Sequence, residues 1–227
     1  MRCVGKPQIV GNSRGSSNRK VLGMEMYKLA VLVSGSGTIL EAMIDAGVDI
    51  ALVGTDRECR GRSIAIDHGI PTLSLDRSGY GWDSSRSWHD QPDFDRDRFS
   101  REFAYELDKK DITLVAMAGF MTIFSEPFFD RYRGHVLNTH PALLPHFKGA
   151  HAVRDALAAG VKETGCTLHI ATEEVDEGPI LEQATVAILP NDTEESLQER
   201  IKVHEREIYP RVLKELLSGK RELPPLS

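Results

Sequence analysis

The hydrophobic positions of this chain fall into short continuous runs separated by mixed stretches. The runs LAVLVSG (29–35), DIALVGT (49–55) and PTLSL (71–75) read as buried strands, and TILEAMIDAG (38–47) and ECRGRSIAIDHG (58–69) between them read as amphipathic helices. That alternation predicts a mostly parallel sheet covered on both faces. Farther on, Asp93 to Lys110 reads as a helix and ITLVAMAG (112–119) as a fourth strand. SEPFFDRYRG (125–134) is a short helix with Pro127 in its first turn, and HVLNTH (135–140) is a fifth strand. HAVRDALAAG (151–160) is a short helix closed by Gly160. CTLHIAT (166–172) and ILEQATVAIL (180–189) bracket an acidic loop and alternate as antiparallel strands do. TEESLQERIKVHEREI (193–208) opens a long helix that Pro210 is expected to kink or end before RVLKELLSG (211–219) resumes it. If Thr193 is its cap, N3 falls on Ser196 and no capping box is expected; if Asp192 is the cap, N3 is Glu195. The expected fold class is α/β: a Rossmann-like, mostly parallel sheet with helices on both faces and an antiparallel C-terminal part.

At 227 residues and 25.2 kDa the chain can bury one substantial core without staples. The expected organisation is a disordered leader (1–26), a single domain (27–219) and a C-terminal tail (220–227). The leader contains GNSRGSSNRK but no secretory apolar core, and no later stretch approaches a membrane span. A net charge of −6 argues against nucleic acid as the main partner. Cys3, Cys59 and Cys166 form no CxxC pair, so neither a disulfide framework nor a zinc site is expected, which suits a reducing cytoplasm. Asp76 to Pro92 interrupts the pattern with Gly, Ser, Trp82 and Trp88; the tryptophans offer an anchor for the loop or a partner contact, but the segment reads as a partly ordered surface insertion without a role in chemistry.

Two constellations suggest chemistry. Asn138 and His140 lie two apart at the end of a strand and share a face, with an acid available from the later TEEVDEGP loop. An amide that donates to an oxyanion and an imidazole that carries a proton suit acyl transfer. The plainer reading is a strand-end histidine satisfied by a backbone carbonyl. The turn Ser34-Gly35-Ser36-Gly37-Thr38, between a strand and a helix, suits an anion, because small residues let backbone N–H groups converge there. It matches G-x-G-x-x-Leu, with Leu40 at the third position, and Asp56 about twenty residues on could mimic the ribose-binding acid of a dinucleotide site. An NAD-dependent enzyme is therefore a rival reading. The run RIKVHERE, with Lys202 and Glu205 on one helix face, reads by itself as a solvated charged helix.

Four separated segments resemble the glycinamide ribonucleotide formyltransferase family: VLVSGSGT (Val31–Thr38), AGFM (Ala118–Met121), NTHPALLP (Asn138–Pro145) and VDEGPI (Val175–Ile180). They co-occur in order over about Leu29 to Leu217. The resemblance implies a formyltransferase fold, transfer from 10-formyltetrahydrofolate as formyl-donor co-substrate to the amine of 5-phosphoribosylglycinamide, and no metal. It selects Asp176 from the acidic loop to join Asn138 and His140, where its charge would favour the imidazolium. It places Gly35, Gly37, Thr38 and Ile39 at the substrate phosphate, Lys202 near that phosphate and Glu205 on the ribose hydroxyls. Arg96, Met121, Thr122, Ile123, Phe124 and Asn138 fall at the folate. Thr167 and His169 either support Asp176 or are satisfied sheet residues. The chain departs from the pattern where Ile39 replaces a frequent Asn and Thr122 a frequent Arg. Relatives that use methionyl-tRNA or water as acceptor append a further domain, so small-molecule partners, no nucleic acid and no membrane are implied, with a homodimer left open.

Overall fold

The computed structural model describes residues 27–87 and 90–226, together with the backbone of 20–21 and 24–25. In that backbone β1 (Lys20–Val21) and β2 (Met24–Glu25) form an antiparallel pair. The rest of the expected leader lies outside the described residues, as do Trp88 and His89.

The main sheet has seven strands, β3 (Leu29–Val33), β4 (Leu52–Thr55), β5 (Thr72–Ser74), β6 (Leu114–Met117), β7 (Val136–His140), β8 (Glu163–Ile170) and β9 (Ile180–Ala187), in the order β5-β4-β3-β6-β7-β8-β9. The pairs from β5 to β7 are parallel, and β7-β8 and β8-β9 are antiparallel. Among the described residues there are six α-helices, α1 (Thr38–Asp45), α2 (Arg60–Asp67), α3 (Arg96–Asp108), α4 (Glu126–Arg131), α5 (Ala152–Ala158) and α6 (Glu194–Leu217). The α/β expectation is met, antiparallel end included.

Alternation along the strands splits the core between the two faces. Leu29, Val31 and Val33 pack with Leu40 and Met43 of α1 and with Ile201 and Tyr209 of α6. Ala30 and Leu32 face the other way, onto Phe99 and Phe103 of α3 and Phe128 of α4. Each such phenylalanine, fully buried, contributes about 1.5–3 kcal/mol of apolar transfer.

Two local expectations need correction. Thr193 caps α6 and a capping box does form: Ser196 N donates to Thr193 Oγ1 and Ser196 Oγ accepts from Thr193 N. A serine hydroxyl at N3 does here what a longer Glu or Gln usually does. Pro210 does not end the helix, which continues through this buried residue, so packing outweighs the lost backbone donor.

The strand order sets where a site can form. From β3 the chain moves to β4 on one side and later returns as β6 on the other, which opens a crevice at the carboxyl ends of β3 and β6. Ser34 stitches this crevice, donating its N–H to Gly119 O at 3.2 Å and accepting Met121 N–H on Oγ at 2.8 Å.

Candidate active site

Asn138 and His140 end β7 on the face they share with Val136, whereas Leu137 and Thr139 turn toward α6. Opposite them β8 presents His169 and Thr167, in register with Asn138 and His140 respectively. The ladder between β8 and β9 shifts at Leu168/His169, an irregularity of the kind that re-aims side chains near sites.

The acidic loop delivers Asp176 to this cluster. Asp176 has a φ of +59°, a left-handed conformation that Asp tolerates better than most residues. The loop folds back so tightly that a Cβ on Gly178 would stand 1.9 Å from Ile170 O, so glycine is obligatory there. Asp176 Oδ2 lies 3.2 Å from His140 Nδ1 and accepts Gly149 N–H at 2.9 Å. His140 Nε2 lies 2.7 Å from Phe147 O. Both ring nitrogens thus face acceptors, and only the doubly protonated imidazolium satisfies both. His140 thus has both kinds of partner expected of it: one nitrogen meets a carbonyl, the other a carboxylate.

His169 takes the opposite state. Its Nδ1 lies 2.9 Å from Ile170 O and so donates, which leaves Nε2 as the acceptor for Asn138 Nδ2 at 3.4 Å. Burial pushes its pKa below the ordinary histidine value and favours this neutral form. One amide proton of Asn138 is thereby directed at His169, and the second remains for a ligand oxygen. Thr167 serves elsewhere: its buried hydroxyl donates to Ala142 O at 2.6 Å and accepts Leu144 N–H at 3.0 Å, anchoring the segment after β7.

At the crevice, Gly37 opens α1 with a φ of +74°, and a Cβ on it would meet Gly61 Cα at 2.7 Å. Gly35 and Ser36 are exposed. Thr38 and Ile39 begin the helix, but the Ile39 side chain is buried in the core, so only its N–H can face an anion. Lys202 is held by Glu199 at 2.6 Å. Glu205 is buried against Thr139 on the α6 face of β7, and desolvation raises its pKa above the usual carboxylate range.

The segment after β6 divides its side chains. Met121 is 61% exposed and Ile123 half-buried, whereas Phe124 is stacked on Phe128 at 3.7 Å within the core. Thr122 is buried, donating to Asp56 Oδ2 at 2.6 Å and accepting from Arg77 Nη1 at 3.2 Å, so its side chain is not open to a ligand. Asp56 is fully buried and ion-paired with Arg77 at 3.4 Å. It cannot reach a ribose, and the dinucleotide reading fails there. Arg96 is exposed in the first turn of α3.

The insertion is more than surface. Asp76 caps a single 3-10 turn, Arg77–Tyr80, and the Arg77 guanidinium lies between Asp56 and the Trp82 ring, 3.9 Å from its centroid. Phe94 meets Trp82 edge-on at 5.3 Å. Polar composition concealed this docking, because a single buried arginine has no periodicity to reveal it. Phe147 and Gly149 were equally invisible, since they act through backbone groups that any residue carries. Behind the acidic loop lies a cavity of about 580 Å³, with Phe129, Thr172, Glu173, Glu177, Gly178 and Leu226 among its lining residues.

A formyl transferase family profile matches residues 27–213. Phosphoribosylglycinamide formyltransferase of Mycobacterium tuberculosis (strain H37Rv) is 41% identical over 186 residues, covering 80% of each chain. The trifunctional purine biosynthetic protein adenosine-3 of Gallus gallus is 42% identical over 199 residues, 85% of this chain but 18% of that protein. Among solved structures, glycinamide ribonucleotide transformylase 1 from Symbiobacterium toebii superposes with a TM-score of 0.77 at 34% identity, over 92% of this chain and 96% of that one.

Proposed function

The chain belongs to the formyl transferase family and transfers a formyl group to phosphoribosylglycinamide in purine biosynthesis; from that premise we propose that Asn138, His140 and Asp176 are its catalytic unit and 10-formyltetrahydrofolate its donor. The observation that carries the assignment is the His140–Asp176 pair at 3.2 Å beside the Asn138 amide, at the end of one strand.

The acceptor amine attacks the formyl carbon directly, and the carbonyl π electrons become an oxyanion. Asn138 Nδ2–H and His140 Nε2–H meet that oxyanion, the latter turning from Phe147 O toward the substrate. Asp176 orients the imidazolium and balances its charge. As the tetrahedral adduct collapses, the bond from carbon to the folate nitrogen breaks, and a proton lost by the amine reaches that nitrogen through water close to Asp176. No enzyme nucleophile is required. Cys166 suits none, being buried with its thiol pushed up to about 12.

Gly35, Gly37, Thr38 and Ile39 hold the phosphate through backbone N–H groups, Lys202 turns from Glu199 to join them, and Glu205 receives ribose hydroxyls. Met121 and Ile123, with the backbone of Thr122 and Phe124, line the donor site next to Asn138, and Arg96 serves the folate tail. The cavity behind the acidic loop offers carboxylate and backbone acceptors suited to the N–H groups of a pterin. Among the described residues, no helix is long and apolar enough to cross a membrane.

The test is a direct assay of formyl transfer from 10-formyltetrahydrofolate with phosphoribosylglycinamide, methionyl-tRNA or water as acceptor. Strong preference for phosphoribosylglycinamide is expected; preference for either of the others would overturn the acceptor while keeping the chemistry.

A further inference from the structure

A loop that binds an anion through peptide N–H groups works only while those groups point the same way. In a trans peptide the C=O and the following N–H point in opposite directions, so whatever holds the carbonyl aims the N–H. Two successive carbonyls of the glycine loop are held by α2. Gly61 N donates to Gly35 O at 3.1 Å, and Arg60 Nη1 donates to Ser36 O at 3.1 Å. The carbonyls of both peptides therefore face α2, and the N–H groups of Ser36 and Gly37 face away from it. Gly37 O in turn accepts Glu41 N–H at 2.9 Å within α1, so Thr38 N–H points out of the N-terminus of that helix. Successive N–H groups aimed at one point form an anion-binding concavity.

The approach of α2 is itself specified. A Cβ on Gly61 would lie 2.7 Å from Val33 Cγ2, and a Cβ on Gly37 the same 2.7 Å from Gly61 Cα, so glycine on both elements lets their backbones touch. Glu41 steadies the arrangement by accepting Arg60 Nη2 at 2.6 Å. This pairing also offsets the guanidinium charge, so orientation outweighs attraction in what Arg60 contributes.

We propose that Arg60 is a positioning residue for phosphate recognition: with Gly61 it turns two peptide planes of the glycine loop so that their N–H groups receive the acceptor's phosphate. The proposal rests on the phosphate-loop reading given above. The experiment compares wild type, Arg60→Met and Arg60→Lys in full-length protein, measuring KM for both substrates, kcat, and competitive inhibition by inorganic phosphate and by the dephosphorylated acceptor. Arg60→Met should raise KM for phosphoribosylglycinamide and weaken inhibition by inorganic phosphate by about three- to tenfold. KM for the folate and inhibition by the dephosphorylated acceptor should be unchanged, and Arg60→Lys should recover part of the loss. Equal weakening of phosphorylated and dephosphorylated ligands, or no change in either, overturns the role of Arg60. If phosphate does not compete with the acceptor even in wild type, the phosphate-loop reading fails first and this inference with it.

Discussion

Asn138 and His140 could be read from sequence because i and i+2 on a strand must share a face, and the structure places both beside Asp176. His169, which the sequence offered as a support of Asp176 or a satisfied sheet residue, sits across the ladder beside Asn138. Phe147 and Gly149 could not be read, because they contribute a carbonyl and an amide that no residue type advertises. Glu205 shows how burial, rather than spacing, sets behaviour. Desolvation raises its pKa, opposed by the Thr139 hydroxyl and by Lys202 and Arg206. The folded state therefore binds this proton more tightly than the unfolded chain. Its contribution to stability is full below the ordinary carboxylate pKa and is lost as pH rises through the raised one. His169 has the opposite sign: its pKa is lowered, so its contribution is present above the ordinary histidine value and is lost as pH falls through the lowered one. Glu205→Gln removes the first effect alone. Thermal unfolding from about pH 4 to about pH 8 should show wild type losing stability relative to Glu205→Gln as pH rises. Parallel curves would contradict the buried-carboxyl account.

At the scale of elements, the apolar pattern was sufficient for the seven strands of the main sheet and the six described helices, because central strands such as β3 and β4 are buried on both faces and read as continuous apolar runs, while helices carry an apolar stripe. Connections were legible only where chemistry constrained them, as at Gly37 and Gly178, where a side chain has no room. The insertion was misread for the same reason in reverse: its composition is polar, yet Arg77 and Trp82 lock it to Asp56 and Thr122. Arg77 matters most when only its partner remains. Arg77→Met leaves Asp56 buried without that cation, and removal of one member of a buried pair costs about 3–5 kcal/mol. Denaturant unfolding should show a loss of this order, and the double variant Asp56→Asn with Arg77→Met should regain part of it. A single variant within about 0.5 kcal/mol of wild type would show that the insertion is as superficial as its sequence suggested.

Across the whole molecule, function follows from strand order. The parallel half turns at β3 and β6 and sets the glycine loop beside the Met121 segment, with Ser34 of that loop bonded to Gly119 and Met121. The antiparallel end then carries β8 past β7 and returns the acidic loop onto His140. On the proposed assignment, acceptor, donor and proton-handling groups meet at the carboxyl ends of the strands of a single sheet. That all three catalytic side chains act together is the central claim, and the most direct measurement is turnover by purified His140→Ala protein, with its thermal unfolding recorded alongside. Loss of the cationic oxyanion donor should lower kcat at least about a hundredfold, on the order of 3 kcal/mol, with little change in unfolding. Turnover near the wild-type rate in folded His140→Ala protein would contradict the account.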